Sequence, residues 1–246
     1  MISVTILTKN SSRYIEKVLS ALQEFDEVAI LDTGSTDNTV EIARRFPNVI
    51  VHFHTFAGFG EAHNRITALA KNDWILSLDS DEIASKDIVD EILHTELDSQ
   101  CVYSFSRHNY YRGKFIKGCG WYPDTVVRLY NRSKTGFSDA YVHEKVLTEG
   151  LKVVSFKAPV LHFPYNTIDD FLSKMQLYSS LFAKDKRGKK RASLFQAISH
   201  ALFSFFRCYF LKKGILLGSQ GFEISAYNAI TAYYKYLKLR DANEQA

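Results

Sequence analysis

Residues 74–82 read WILSLDSDE, an apolar stretch that runs directly into three carboxylates within four positions. The apolar part has the composition of a buried strand, which would fix Asp79, Asp81 and Glu82 at its carboxyl end. Three like charges this close repel each other unless solvent or a cation compensates them. Two interpretations follow from this stretch alone: a Mg²⁺ or Mn²⁺ site that holds a diphosphate, or a loop whose aspartates cap the next helix.

Strand-like and helix-like patterns alternate through the first hundred residues. Strands are predicted at residues 2–7, 27–32, 49–51 and 74–78, and apolar residues at helical spacing fill the intervals, with the third helix at 62–71. This alternation predicts an α/β fold in which helices flank a mostly parallel sheet.

Polar clusters follow three of these strands. They comprise Thr8, Lys9 and Asn10 after the first strand, Asp32 after the second, and Asp79, Ser80 and Asp81 after the fourth. Ligands of such sheets bind beyond the carboxyl ends of the strands, so the three clusters are expected at one edge. Their common location favours the metal and nucleotide interpretation over helix capping.

The second half begins with a candidate binding loop. Strands are predicted at 102–107 and 125–130, and the loop between them concentrates glycine, aromatic and basic residues. Loops of this type form binding surfaces on rigid scaffolds, so the aromatic side chains of Trp121 and Tyr122 are candidates for stacking on a ligand. The alternative is a loop that packs on itself with Trp121 in its core.

A histidine–glutamate pair, His143 and Glu144, interrupts an apolar, strand-like segment. A carboxylate placed beside a reacting hydroxyl could act as the general base that removes its proton. The alternative is a surface glutamate paired with Lys145. His162, on a late predicted strand, is either a structural histidine or a metal ligand.

The chain from residue 166 onward has helical periodicity. Six cations and one acid crowd residues 184–191, and an aromatic, amphipathic run follows at 194–217. Polar and basic residues interrupt that run, so it lacks the clean apolar span of a transmembrane helix. Basic residues beside an amphipathic stretch predict binding to an anionic membrane surface through residues 184–217. The alternative is a helical pair packed on the domain, with a solvated charge run between its helices.

Composition limits the classes of function. The chain has 246 residues, 46% of them hydrophobic, and a net charge of +4 that does not indicate a nucleic-acid partner. Its three cysteines are odd in number and lack CxxC spacing, which indicates neither zinc nor disulfides and fits a reducing compartment. No signal peptide precedes the first strand, so a cytoplasmic location is expected.

The motifs together resemble those of a known family. The turn after the first strand, residues 32–39 (DTGSTDNT) and the DSD of residues 79–81 resemble, in this order, the nucleotide-sugar half of a family 2 glycosyltransferase of GT-A (Rossmann-like) fold. Four later segments resemble the lipopolysaccharide core group, the heptose β-1,4-glucosyltransferases; they are residues 108–110, 120–124, 128–130 and 142–145. The QxxRW motif of processive synthases is absent, so one transfer per binding event is expected.

The resemblance implies a role for each candidate residue. The residues that would contact the nucleotide sugar are Thr8, Lys9, Asn10, Asp32, Gly34, Asn64, Asp79 and Ser80. The residues that would hold Mg²⁺ or Mn²⁺ are Asp79, Asp81 and His162. Glu144 would be the base, with His143 as its orienter or as a phosphate contact. The acceptor would contact Trp121, Tyr122 and Arg128.

The chain departs from the resembling sequences at two positions. His63 stands where the family usually has an arginine before the asparagine, and it is interpreted as a partly buried polar residue. Leu217 stands where the lipopolysaccharide group commonly has an acid, which would matter if that acid binds the acceptor. Glu82 is interpreted as a helper or a surface acid.

The expected function is inverting, metal-dependent transfer of a hexose. The donor would be a UDP-hexose such as UDP-glucose, and the acceptor the lipopolysaccharide inner core or a related lipid-linked glycan at the cytoplasmic face of the membrane. Residues 1–165 would form the GT-A domain, with a nucleotide-sugar half at 1–100 and an acceptor half at 101–165, and residues 166–246 a helical, membrane-associating extension. The rival hypotheses are a non-catalytic nucleotide-sugar-binding module and a nucleotidyltransferase.

Overall fold

The computed structural model describes residues 1–140 and 144–244, and it divides the chain into two compact units. The first unit comprises residues 1–108 and 124–162, and the second comprises residues 109–123 and 163–246. The loop at 109–123, assigned above to the acceptor half, therefore groups with the helical tail. His143 lies outside the described residues, and its role stays a prediction.

Among the residues described, ten strands form a mixed sheet flanked by helices, and the predicted α/β class is confirmed. They are β1 (Ile2–Thr8), β2 (Glu27–Asp32), β3 (Val49–Phe53), β4 (Trp74–Asp79), β5 (Glu82–Ala84), β6 (Cys101–Tyr111), β7 (Lys114–Phe115), β8 (Thr125–Asn131), β9 (Lys152–Ser155) and β10 (Val160–Tyr165). Their order is β3-β2-β1-β4-β8-β6-β10-β5, with β7 and β9 each paired with β6.

The first four strands are parallel and bring their carboxyl ends to one edge. β1 lies between β2 and β4, and its register places Thr8 beside Asp32 and Leu7 beside Asp79. Nearly every residue of β1 and β2 is buried, which is typical of parallel strands covered on both faces. β8 then pairs antiparallel with β4 and β6, so the sheet is mixed beyond β4.

Seven α-helices accompany the strands in the part of the chain that the structure describes. They are α1 (Ile15–Ser20), α2 (Thr39–Ala43), α3 (Phe59–Leu69), α4 (Lys86–His94), α5 (Ile168–Lys186), α6 (Leu194–Phe206) and α7 (Ser219–Glu244). The third helix starts three residues before its predicted start and ends two residues before its predicted end, because Ala70 is already extended. The first turn of this helix requires glycine at position 60, because a Cβ there would overlap the carbonyl oxygen of Ser138.

The interpretation of the acidic loop as a helix cap is wrong. The helix that follows, α4, is capped by Ser85, whose hydroxyl accepts the backbone N–H of Ile88 at 3.3 Å. The short strand β5 separates that cap from Asp81. The aspartates are therefore free of the capping role that the sequence left open.

The second unit has a small aromatic core beneath its helices. Tyr111, Phe171 and Ile224 are buried there, and Leu217 packs among them. The position at which the lipopolysaccharide group carries an acid is therefore an apolar core position in this chain. Within the described residues, Leu194–Leu211 is long and apolar enough to cross a membrane by length and composition, although only 11% of it is buried. This finding corrects the expectation that residues 194–217 lack an apolar span of that length.

Candidate active site

The ends of β1 and β2 are joined through Asp32. Its Oδ2 accepts a hydrogen bond from Thr8 Oγ1 at 3.0 Å, and its Oδ1 accepts the N–H groups of Gly34 and Ser35 at 3.1 and 2.9 Å. The Ser35 hydroxyl donates to the same carboxylate. Burial would raise the pKa of Asp32, but these hydrogen bonds outweigh it and lower the pKa. Because four donors fill the acceptor sites of the carboxylate, a nucleoside contact to Asp32 requires one donor to move.

Side chains of the first turn connect all three polar clusters. Asn10 has a left-handed backbone (φ 53°), and its Oδ1 accepts the N–H of Thr36 at 2.8 Å. The hydroxyls of Ser11 and Ser80 lie 2.8 Å apart, so the same turn also contacts the acidic loop. Lys9 is exposed beside them. The clusters predicted to share one edge of the sheet do meet there.

Two arginines compensate the acids at the end of β4. Arg128 Nη2 lies 3.1 Å from Asp79 Oδ2, and Arg107 Nη1 lies 3.7 Å from the same oxygen. Arg107 also forms a two-bond contact with Asp124, at 3.0 and 3.2 Å. Burial opposes ionisation of Asp79, but the arginines, Arg128 above all, hold its pKa well below the usual range. Asp79 is therefore a charged carboxylate whose Oδ2 already forms an ion pair with Arg128.

Glu82 is not a surface acid, which leaves the helper role as the remaining one of the two interpretations given above. Its side chain is 0% exposed; Oε1 lies 3.0 Å from Arg107 Nη1, and Oε2 accepts the backbone N–H of Asp79 at 3.0 Å. Burial and the charge of Asp79 raise the pKa of Glu82. Glu82 thus fixes both the backbone of the acidic loop and the guanidinium behind it.

Asp81 and His162 are the two residues of the site that could hold a metal together. His162 Nε2 lies 3.5 Å from Asp81 Oδ1, because the pairing of β10 with β5 sets His162 opposite Glu82. Burial lowers the pKa of His162, but the hydrogen bond and charge of Asp81 outweigh burial and raise it. The two groups converge from different strands on one point.

The donor set fits a divalent cation only together with a bound nucleotide. Among residues 1–140 and 144–244, no three His, Cys, Asp or Glu side chains are grouped as a metal site. Asp79, the third predicted ligand, is paired with Arg128. One carboxylate and one imidazole, completed by diphosphate oxygens and water, match the usual chemistry of Mg²⁺ in phosphate sites, and the imidazole favours Mn²⁺.

Glu144 lines a cavity of about 280 Å³ in the first unit. Arg128 and Phe137 line the same cavity, and the charge of Glu144 acts on the Arg128 guanidinium that pairs with Asp79. The Glu144 side chain is 14% exposed, which differs from the exposed surface pair that the sequence allowed. A carboxylate at the wall of a cavity is placed to meet a small substrate group.

His63 and Asn64 position the wall of this cavity. His63 is 2% exposed, more buried than the partly buried residue expected, and its ring stacks on Phe137 at 4.2 Å. Asn64 donates to the carbonyl oxygen of Phe137 and accepts its N–H, both at 2.9 Å. The contact predicted between Asn64 and the nucleotide sugar remains a prediction, because the amide is engaged with this backbone.

Trp121 and Tyr122 belong to the second unit and differ in exposure. The Trp121 ring stacks on Tyr165 at 5.6 Å, and its carbonyl oxygen accepts the side-chain N–H of Asn109 at 2.8 Å. Tyr122 is 42% exposed and contacts the edge of Phe115. Tyr122 therefore offers the more accessible face for a sugar, and Trp121 chiefly organises the loop.

Arg107 is the residue of the site that the sequence did not identify. It stands at the end of a regularly alternating strand, where an arginine is ordinarily a surface residue. The one signal was the balance of charge, because three acids within residues 79–82 require nearby cations. Arg128 lies on β8, the strand beside β4, and Arg107 lies on β6, the next strand. The pairing of β8 with β4 and of β6 with β8, which no local pattern encodes, brings both arginines to the acids.

Replacing Arg107 by methionine is expected to destabilise the fold by about 3 kcal/mol, because Glu82 would remain buried without its cation. The loss grows from pH 5 to pH 8. In the variant, burial keeps the pKa of Glu82 higher in the folded state than in the unfolded state. At pH 5 the folded protein can therefore protonate Glu82 and avoid a buried charge, whereas at pH 8 the buried carboxylate is ionised and the loss of stability is larger. Urea unfolding at both pH values measures this. The matched Arg45→Met variant, whose ion pair with Glu41 is exposed, should lose less than about 1 kcal/mol; equal losses would contradict the account.

Comparison with known proteins identifies the family. The model of glycosyl transferase family 2 matches residues 3–153, more than half of the chain. The chain belongs to this family. It is therefore a glycosyltransferase, and the resemblance inferred from the motifs is confirmed. Family membership also decides against the nucleotidyltransferase hypothesis.

Relatives of this glycosyltransferase extend over nearly its whole length. It is 27% identical to an uncharacterized glycosyltransferase of Rickettsia conorii, over 98% of this chain and 90% of the relative. It is 24% identical to the lipopolysaccharide core biosynthesis glycosyltransferase LpsC of Rhizobium meliloti, over 97% of this chain and 91% of the relative. A relative in lipopolysaccharide biosynthesis thus aligns with both units.

Structural comparison confirms the GT-A fold. The mannosyltransferase PcManGT of Pyrobaculum calidifontis, solved in complex with GDP-Man and Mn²⁺, superposes with a TM-score of 0.56. The match covers 96% of this chain and 86% of that chain at 16% identity. At this identity the similarity establishes the fold and not the donor.

Proposed function

We propose that this glycosyltransferase moves a hexose from a UDP-hexose, with UDP-glucose the expected donor, onto the inner core of lipopolysaccharide or a related lipid-linked glycan. The reaction inverts the anomeric configuration and depends on Mg²⁺ or Mn²⁺. The enzyme works at the cytoplasmic face of the membrane that holds its acceptor.

The observation that carries the proposal is the joint placement of Arg128. Its guanidinium pairs with Asp79 of the DSD loop at 3.1 Å and lines the cavity that contains Glu144. Asp79 of the DSD loop and the proposed base Glu144 are therefore both neighbours of Arg128, which supports one continuous site. A donor whose diphosphate meets the DSD loop would extend its sugar toward the carboxylate of Glu144.

The residues divide the chemistry between them. Glu144 accepts the proton of the acceptor hydroxyl, whose oxygen then attacks the anomeric carbon from the side opposite the diphosphate. Asp81 and His162 would hold the cation, which when bound supplies positive charge to the leaving nucleoside diphosphate. Glu82 and Arg107 keep the DSD loop in place, and Arg128 contributes fixed positive charge near the reacting groups.

The donor can be tested without knowledge of the acceptor. We expect UDP-glucose, with Mn²⁺ present, to raise the melting temperature more than the ADP-, GDP- and TDP-sugars, because a ligand that binds only the folded state stabilises it. A larger shift with GDP-mannose would contradict the uridine assignment. The shift should also fall when Mn²⁺ is replaced by a chelator.

A non-catalytic nucleotide-sugar-binding module is the alternative that keeps the DSD loop but needs no base. The position of Glu144 in the cavity wall and the catalytic relatives speak against it. The two functions differ in one measurement, because a binding module would release no UDP in the presence of an acceptor.

The partner surface proposed for the membrane is the exposed face of α6. Phe195 is 80% exposed, Leu202 68% and Phe206 49%, and Ile198 at 44% completes a stripe at helical spacing. The run at 184–191, which immediately precedes this helix, carries six cations and one acid. Apolar side chains beside concentrated positive charge are complementary to the interface of an anionic bilayer.

Replacing Lys184 and Lys189 by glutamine is expected to weaken binding to phosphatidylglycerol-containing vesicles by about 30-fold, since each basic residue contributes about 1 kcal/mol. Replacing Leu202 by glutamate should abolish the salt-resistant part of the binding. Vesicle flotation measures both effects, with Phe53→Glu, at an exposed phenylalanine of the first unit, as the control. Undiminished flotation of the variants, or a dimer in light scattering that occupies the same face, would overturn the proposal.

A further inference from the structure

His63 lies between a buried serine and the candidate base. Its Nδ1 is 3.3 Å from Ser77 Oγ, and its Nε2 is 3.8 Å from Glu144 Oε1. Ser77 is completely buried, and the His63 ring is held against Phe137 with an interplanar angle of 12°. The ring therefore has little freedom to turn, and its two nitrogens point at two different oxygen groups.

The surroundings keep this imidazole neutral. Burial lowers the pKa of His63 to about 4; the charge of Asp79 opposes this effect and that of Arg128 reinforces it. A neutral imidazole carries one N–H donor and one acceptor nitrogen, and the partner of one nitrogen decides which of the two is protonated. A hydroxyl can donate to a ring nitrogen, whereas an ionised carboxylate can only accept.

Only one tautomer satisfies both neighbours of the ring. If Nδ1 accepts the hydroxyl of Ser77, the proton resides on Nε2 and faces Glu144. The opposite tautomer would set a bare nitrogen lone pair against the carboxylate. At 3.8 Å the contact is longer than a hydrogen bond, and such contacts commonly shorten when substrate binds.

We propose that His63, whose Nδ1 faces the hydroxyl of Ser77, is a positioning residue whose Nε2–H orients the Glu144 carboxylate toward the acceptor hydroxyl. The proposal rests on the assignment of Glu144 as the base. It gives a role to the histidine that replaces the usual arginine. A neutral N–H donor can hold the carboxylate in place, whereas a full cation would also lower the pKa of the carboxyl group and weaken it as a base.

The test compares two substitutions of one ring. His63→Phe keeps the stacking on Phe137 but removes both nitrogens, whereas His63→Gln restores an N–H donor that can reach Glu144. We expect His63→Phe to lower kcat by about 30-fold with little change in the KM for the donor, and His63→Gln to recover most of that loss. The acid limb of the kcat/KM profile should move to higher pH in His63→Phe, because the N–H favours the ionised carboxylate.

A second variant keeps the proposal testable if the ring substitutions unfold the protein. Ser77→Ala keeps the imidazole but removes the hydroxyl that contacts its Nδ1, so the Nε2–H is held less firmly toward Glu144. It should lower kcat several-fold with the same displacement of the acid limb. His94→Phe, at the exposed end of α4, is the control. Equal losses in His63→Phe and His63→Gln, or unchanged profiles in His63→Phe and Ser77→Ala, would overturn the proposal.

Introducing His63→Phe into the Glu144→Gln variant distinguishes a failure of this inference from a failure of the proposed function. If His63 acts through Glu144, His63→Phe adds no further loss in that background. If Glu144→Gln itself leaves transfer intact, the assignment of the base fails. If Glu144→Gln abolishes transfer while His63→Phe retains the wild-type rate, only the role of His63 fails.

Discussion

Replacing Glu144 by glutamine is expected to lower kcat for glycosyl transfer by about 10³-fold, within the range contributed by a general base. Glutamine keeps the size of the side chain and its contact with the cavity wall, but it cannot accept a proton from the acceptor hydroxyl. Binding of the UDP-sugar should change by less than about threefold, since the DSD loop and the turn after β1 are untouched.

The measurement is UDP release coupled to product formation, with donor affinity measured separately by calorimetry. Glu149→Gln provides the matched control, because Glu149 is an exposed glutamate five residues along the same segment. Transfer at the wild-type rate by Glu144→Gln would remove Glu144 as the base. A loss of donor affinity equal to the loss of rate would show that Glu144 binds the donor instead.

Replacing Asp81 by asparagine is expected to abolish the part of UDP affinity that depends on a divalent cation, and to lower kcat/KM by at least about 10²-fold. The variant retains the shape of the side chain but loses the negative oxygen that faces His162 at 3.5 Å. Because the described chain brings only Asp81 and His162 together at this point, Mn²⁺ alone should bind weakly and UDP should strengthen its binding.

Measuring the affinity of the wild type and of Asp81→Asn for UDP, once with Mn²⁺ present and once with a chelator, tests this prediction directly. Asp87→Asn, at an exposed aspartate in the first turn of α4, should bind UDP and Mn²⁺ as the wild type does. If wild-type affinity for UDP were the same with and without cations, the metal assignment of Asp81 and His162 would be wrong. Cation dependence that survives in Asp81→Asn would point to other ligands.

The parallel half of the fold and its polar edge could be predicted because the information is local. Each buried strand is continuous in sequence, and Thr8, Asp32 and Asp79 follow their strands directly. Strand order alone then brings these residues to one edge. The same reasoning could not place Glu82, because its burial depends on the pairing of β5 with β10, almost eighty residues later.

Contacts between distant segments account for the rest of what the sequence did not show. His63 and Glu144 are 81 positions apart and meet only because α3 packs against the loop that carries Phe137. Arg107 looks like the polar end of an ordinary strand until the fold sets it 3.7 Å from Asp79 and 3.0 Å from Glu82. Such pairs have no spacing that a pattern could reveal, and they make up the interior of the site.

Transfer itself is the most direct test of the central claim. The wild-type enzyme would be incubated with Mn²⁺, UDP-α-glucose and a heptose-containing lipopolysaccharide core acceptor, and UDP and the anomeric configuration of the product would be followed by NMR. The account predicts one UDP released for each β-glucoside formed on the acceptor. An α-glucoside, or release of UDP with free glucose as the only sugar product under all donors and core acceptors, would contradict it.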